Sequence, residues 1–479
     1  MVSKTPAPAP VDAAPRGINA KMVKVWMTWG SKFLPFADVA SPELPLSKLL
    51  RLSLIQVSVG MSLVLLVGTL NRVMIVELGV PATLVGIMLA LPLLAAPFRA
   101  LIGHKSDTHK SALGWRRVPY IYLGTMIQFG GLAIMPFALL VLAGAQEAYD
   151  ERVWLGQPAA ALAFLLVGIG IHTTQTVGLA LATDLTKEEQ QPNVVGLMYV
   201  MLLIGSIIAS LFFGWALKDF SQGRLIQVIQ GSAVITILLN FTALWKQETR
   251  VPHYLRTEPA QADPTFKESW DLFVGKEKTM LRLLAVGLGT LAFSMSDIVL
   301  EPYGGEVLKL GVGTTTLLTA IMAFGSLLGF AYASYILSLG SDPFKMAGLG
   351  ALIGLPAYGL IIMAAGSDTP ELFTLGVLLA GIGAGLFGHG TLTATMRLAP
   401  QSQVGIAMGA WGAVQATSQG VGATIGGVVR DLARGLDLGL GVAPQASGYV
   451  LIFGLELALM AATLVAMWPL MNRDEAREA

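Results

Sequence analysis

Between Leu52 and Met471 the chain repeats one pattern: apolar runs of about twenty residues, polar on neither side, separated by short polar breaks. Runs of that length cross a bilayer as helices, because only a helix satisfies its own backbone in hydrocarbon. Twelve spans are predicted, over residues 52–76, 82–102, 118–142, 158–183, 194–216, 226–245, 281–300, 314–339, 345–365, 372–393, 404–428 and 448–470. The eleventh is the least apolar, being interrupted by glycine.

The pattern differs at the N-terminus. Residues 1–17 are biased to Pro and Ala without an apolar centre and read as a disordered tail, not a cleaved signal. In residues 18–48, Trp26, Trp29 and Phe33 recur at helical steps among Lys21, Lys24 and Lys32, which predicts an amphipathic helix on the membrane surface or on the protein's own face. Residues 246–280 are the longest polar connection. They separate a six-span unit (49–245) from a second one (281–471), and 472–479 form a tail.

Composition adds the class and charge adds the orientation. Hydrophobic residues make up 54% of the chain and charged ones 13%, and 54 glycines suit close helix contacts in lipid. There is no cysteine, so disulfides, thiolate metal sites and a Cys nucleophile are excluded. A net charge of +1 predicts no nucleic-acid partner. Lys and Arg number about 23 in the N-terminal segment, the loops after even spans and the tail, against about six after odd spans, which predicts cytoplasmic termini.

The halves echo each other. Leu78-Gly79-Val80 recurs as Leu310-Gly311-Val312, Ser106-Asp107 as Ser341-Asp342, and Gly168-Ile-Gly170 as Gly381-Ile-Gly383. Two parallel six-helix repeats predict an all-α, major-facilitator-like membrane protein with a site between its halves.

Three stretches carry chemistry. In Asp297-Ile-Val-Leu-Glu301-Pro-Tyr-Gly-Gly-Glu306, Asp297 and Glu301 share a helix face, and Pro302 with Gly304-Gly305 predicts that span seven stops there. Acids so placed either face a cavity or snorkel to the interface. Arg72, near the outer end of span one, is expected to pair with Glu301 or Asp297 and close the outer side. The loop Gly103-His-Lys-Ser-Asp107, followed by Arg116-Arg117, matches in part the loop signature of major facilitators. It reads as a latch between halves or as a topological anchor. Gly405, Gly409, Gly412, Gly422 and Gly426 give span eleven a smooth face for an internal helix or for a single-span partner. Arg99, Asp184, Arg397 and Glu456 lie near span ends and read as snorkelling residues.

Arg99-Ala-Leu-Ile-Gly-His-Lys-Ser-Asp107, Gly114-Trp-Arg-Arg-Val-Pro-Tyr120 and Asp297-Ile-Val-Leu-Glu-Pro-Tyr-Gly-Gly-Glu306 resemble the PucC/LhaA family of light-harvesting assembly proteins, the bacteriochlorophyll delivery branch of the major facilitators. The resemblance spans all twelve helices. It implies handling of bacteriochlorophyll a, with carotenoid as a further ligand, and of antenna α/β polypeptides, core antenna favoured over peripheral. It implies as further partners the reaction centre, a pigment synthase and the membrane insertion machinery, and as location the photosynthetic inner membrane. For such a pigment, a neutral imidazole is the usual axial ligand of the magnesium. His172 in span four and His389 in span ten are the candidates, the alternative being histidines bonded to a neighbouring helix. Walker, nucleophile-elbow and dinucleotide motifs are missing, so no enzyme is expected; a small-solute transporter is the other reading.

Overall fold

Every described element is helical, as expected where the backbone must satisfy itself. The computed structural model describes residues 45–94, 99, 102, 105–106, 109, 114–142, 153–186, 191–248, 274–275, 278–367, 369–398, 404–436 and 443–471. The expected surface helix with Trp26, Trp29 and Phe33, and Gly103 and Asp107 of the loop signature, lie outside these residues.

The helices are α1 (Leu46–Glu77), α2 (Ala82–Leu94), α3 (Val118–Leu142), α4 (Val153–Asp184), α5 (Gln191–Ala216) and α6 (Gln222–Leu244). The second half has α7 (Thr279–Glu306), α8 (Val312–Ser338), α9 (Pro343–Ser367), α10 (Pro370–Leu398), α11 (Val404–Ala433) and α12 (Ser447–Met471). Ten are long and apolar enough to cross a membrane. The other two are α2, whose described part is short, and α11, whose Gln415, Thr417, Ser418 and Gln419 dilute its hydropathy. Together they make the twelve spans, in two six-helix halves.

The packing repeats. α3 lies on α4 and α6 as α9 lies on α10 and α12, and α1 meets α5 and α6 as α7 meets α11 and α12. The halves meet mainly through two related pairs, α2 with α11 and α5 with α8. Glycine permits both approaches: a β-carbon on Gly86 would lie 2.6 Å from the Ala423 carbonyl, and one on Gly214 2.9 Å from that of Gly313. We call the end bearing the α1–α2, α7–α8 and α11–α12 connections the odd face, and the opposite end the even face.

Two helices depart from regular winding. α1 is π-helical over Val64–Leu70 and Val73–Glu77. α7 is α-helical from Thr279 to Ser294, breaks in a 3₁₀ turn at Ser296–Ile298, and resumes from Leu300 to Glu306. This corrects the expected stop at Pro302. The proline falls in the first turn of the resumed helix, where an amide hydrogen has no partner to lose, so Asp297 and Glu301 belong to a broken span and not to its end.

Candidate functional site

The break in α7 lies against the π-wound part of α1. Asn71 Nδ2 donates to the Asp297 carbonyl at 3.0 Å and also to the Val67 carbonyl, so one side chain bridges two irregular backbones. Glu301 is 2% exposed; its Oε1 accepts from Thr319 Oγ1 of α8, and a β-carbon on Gly68 would lie 2.6 Å from the same oxygen. Glycine at 68 therefore lets a carboxyl from one half press on the helix of the other. Around it, Glu301 Oε2, Asn71 Oδ1, Thr69 Oγ1, Thr316 Oγ1 and Arg72 Nε are buried without a hydrogen-bond partner. Together they make a polar junction between α1, α7 and α8 inside an otherwise apolar bundle.

Arg72 does not form the expected pair. Its Nη1 meets Glu77 Oε1 at 2.5 Å, and Nη2 donates to the Leu310 carbonyl at 3.2 Å. The reason is the winding: residues five apart stack on a π-helix, as they do not on an α-helix, so Glu77 comes under Arg72. The guanidinium rests on Gly305, where a β-carbon would lie 2.8 Å from Nη2.

At the odd face Glu306 pairs within the second half. Its Oε1 accepts from Arg430 Nη2 at 2.6 Å and its Oε2 from the Tyr449 hydroxyl at 2.8 Å. Arg430 also meets Asp431 Oδ1 at 2.9 Å. The Asp431 carboxylate accepts the Ala82 and Thr83 amides at 3.2 and 2.7 Å and the Thr83 hydroxyl at 2.7 Å. An acid on α11 thus caps the N-terminus of α2, where the helix dipole favours it, and clasps one half to the other.

On the even face, Arg116 and Arg117 hold Asp184 of α4 at 2.5 and 2.9 Å, and Arg117 donates to Ser106 Oγ at 2.6 Å. Glu248, after α6, accepts the amides of Arg116, Arg117 and Val118 and so caps α3. Among the described residues the partners named here are all in the first half, so these contacts of the paired basics tie α3 to α4 and to the chain after α6. Asp342, the repeat counterpart of Asp107, caps α9 through the Phe344 and Lys345 amides at 2.7 and 3.0 Å.

His172 and His389 are half-buried, and the Nδ1 of each is enclosed without a partner. The His389 ring lies 4.1 Å from that of Phe330; Gly388 beside it faces open space, whereas Gly390 is filled by Pro343 and Ala347 of α9. The two glycines flanking His389 thus leave room beside the ring on one side only. Among the described residues no acceptor orients either ring through Nδ1, and because that nitrogen is enclosed, a magnesium ion would be taken by the other ring nitrogen. The imidazoles would supply one axial nitrogen to the metal.

Two of the α11 glycines pack inward. Gly422 meets Ser294 and Gly426 meets Met295, both on α7, while Gly412 opens to free space. Gly405 and Gly409 lie on the helix without further description. All four residues read as snorkelling have partners in the bundle: Asp184 as above, Arg99 with Gln175 and Thr176, and Glu456, which is fully buried and accepts the Ser296 amide at 2.6 Å in the break of α7. Arg397 donates to the Leu337 carbonyl at 2.8 Å. Sequence reasoning missed Arg430, Asp431 and the cap by Glu456. The only signal was a charged pair at the end of the glycine-rich eleventh run.

The profile of the family described as "PUCC protein" matches residues 69–475. The chain is 61% identical over 409 residues to Protein PucC of Rhodovulum sulfidophilum, covering 85% of this chain and 90% of the relative. It is 57% identical to Protein PucC of Cereibacter sphaeroides, covering 92% and 96%. A Rhodobacter capsulatus protein named Bacteriochlorophyll synthase 44.5 kDa chain is 27% identical, covering 90% and 97%. Among solved structures, a nucleoside transporter NupG mutant superposes with a TM-score of 0.64 at 15% identity, covering 88% of this chain and 99% of that one. An inward-facing bacterial homologue of the iron transporter ferroportin gives 0.64 at 15%, covering 89% and 99%. These likenesses fix the major-facilitator fold alone.

Proposed function

The chain belongs to the PucC protein family, and from that premise we propose that it is a non-enzymatic assembly factor for bacterial light-harvesting complexes. It delivers or shields bacteriochlorophyll, and carotenoid where present, and escorts antenna α/β polypeptides, those of the core antenna first, in contact with the reaction centre, pigment synthase and insertion machinery. It does so in the photosynthetic inner membrane with its termini on the cytoplasmic side. The family match along 69–475 carries the reading. Supporting it, one relative bears a bacteriochlorophyll synthase name, and His172 and His389 are half-buried imidazoles within spans, the residue type that ligates a pigment's magnesium. Purification from pigmented membranes tests it: chlorin absorbance and co-purifying antenna polypeptides are the expected result, with core and peripheral clients told apart by mass spectrometry. Colourless protein without antenna subunits overturns it.

The broken α7, with Glu301 buried against α1 and α8, favours one second reading, a secondary transporter of a small solute. Proton-coupled uptake into vesicles by colourless protein would establish it.

A further inference from the structure

Arg99 has no place in the assembly described so far, and its surroundings are unlike those of the other buried arginines. Arg72, Arg117 and Arg430 each touch a carboxylate. Arg99 Nε donates to Thr176 Oγ1 at 2.9 Å and Nη2 donates to Gln175 Oε1 at 3.0 Å, both neutral acceptors. Among the described residues no acid lies within ion-pair distance of its guanidinium, and Nη1 makes no hydrogen bond. The two nitrogens at the tip therefore keep unused donors side by side, the fork that matches two oxygens of one anion.

Its position is inside a span. Thr176 is eight residues from Asp184 at the even face, about 12 Å at the helical rise. His172 precedes Gln175 by three residues and Thr176 by four, so it lies one turn along the same stripe of α4, with its Nδ1 enclosed and unpartnered. A guanidinium kept within a span without a counter-charge destabilises the free protein and marks a ligand path by default. The chemistry that repairs it is an oxyanion, and an apolar bundle selects one carried on an apolar body.

We propose that Arg99, presented by Gln175 and Thr176 beside His172, binds the carboxylate or phosphate of an amphiphile entering the bundle from the even face. Where that amphiphile is the tetrapyrrole of the assembly reading, on which this step rests, the site selects the free carboxylic acid form of the pigment over its ester, because only the acid carries the anion. Arg99 grips the acid group and His172 lies at reach for the metal.

Full-length protein purified in non-ionic detergent is titrated with bacteriochlorophyllide a and with its methyl ester, followed by pigment fluorescence. The acid is expected to bind about tenfold tighter or more, the size of one charge-assisted hydrogen bond lost. Arg99→Gln removes the difference, Arg99→Lys keeps part of it, and His172→Ala weakens both pigments alike. Equal affinity of the unaltered protein for acid and ester, which needs no variant to fold, overturns the pigment form of the proposal, as does an acid preference that survives in Arg99→Gln. Nanodiscs of phosphatidylglycerol or phosphatidylcholine separate the sources: selective retention of the anionic lipid, lost in Arg99→Gln, with no tetrapyrrole bound, upholds the oxyanion site and refutes the pigment reading. Antenna polypeptides co-purifying while neither pigment form nor anionic lipid is preferred leaves the assembly reading standing and sinks this one.

Discussion

Asp431→Ala is the cleanest perturbation of the clasp between the halves. The carboxylate accepts two amides and a hydroxyl from the start of α2 and touches Arg430. Removing it leaves Arg430 paired with Glu306 at 2.6 Å, so no cation is abandoned in the interior. A lost helix cap costs about 1 kcal/mol, and the further charge-assisted bonds raise the total to about 3 kcal/mol, or roughly 150-fold in an equilibrium. A closed to open ratio of about 100:1 would fall to near parity. Because the chain contains no cysteine, Pro81→Cys and Leu436→Cys, both at exposed positions, accept spin labels without background. Pulsed electron spin resonance should give one short distance in the parent, and in Asp431→Ala a second, longer population of comparable weight. Thr83→Val, which loses the hydroxyl bond alone, should shift the balance by a fraction of that amount. An unchanged distance distribution in Asp431→Ala would show that this contact does not hold the odd face shut.

Two further outcomes follow from buried carboxyls. Glu456→Ala strands the Ser296 amide in the break of α7 and should destabilise the protein by about 1–3 kcal/mol, with Glu456→Gln milder because it keeps an acceptor; thermal unfolding in detergent measures both. In a double-mutant cycle, Arg72→Ala and Glu301→Ala should couple by less than about 1 kcal/mol, because the two charges are neighbours in one junction but each side chain holds its own partner; a larger coupling would restore the ion pair that the sequence suggests.

The spans were legible because burial in lipid imposes one property, length of apolar run, that survives any detail of packing. The site was legible in its parts only. Glu301 and Arg72 are conspicuous as charges in apolar runs, but their partners depend on winding, and no periodicity argument built on an α-helix brings Glu77 beneath Arg72. The clasp joins Asp431 to Thr83 across most of the chain, and nothing local in either stretch announces the other. Glu456 looked peripheral because the span containing it was counted from its ends, whereas its depth is set by the Ser296 turn it satisfies. The glycines at 422 and 426 stand out in the sequence as a smooth face, yet that α7 packs there is visible only in three dimensions.

The π segments of α1 have a mechanical meaning. Each turn of that kind holds a surplus residue, and such a surplus can migrate along a rod without breaking its ladder of bonds at more than one rung. In α1 that surplus sets which faces meet: it puts Glu77 beneath Arg72 and Gly68 beneath Glu301, so the winding of one helix, and not the spacing of its residues, decides which charges become neighbours in the interior.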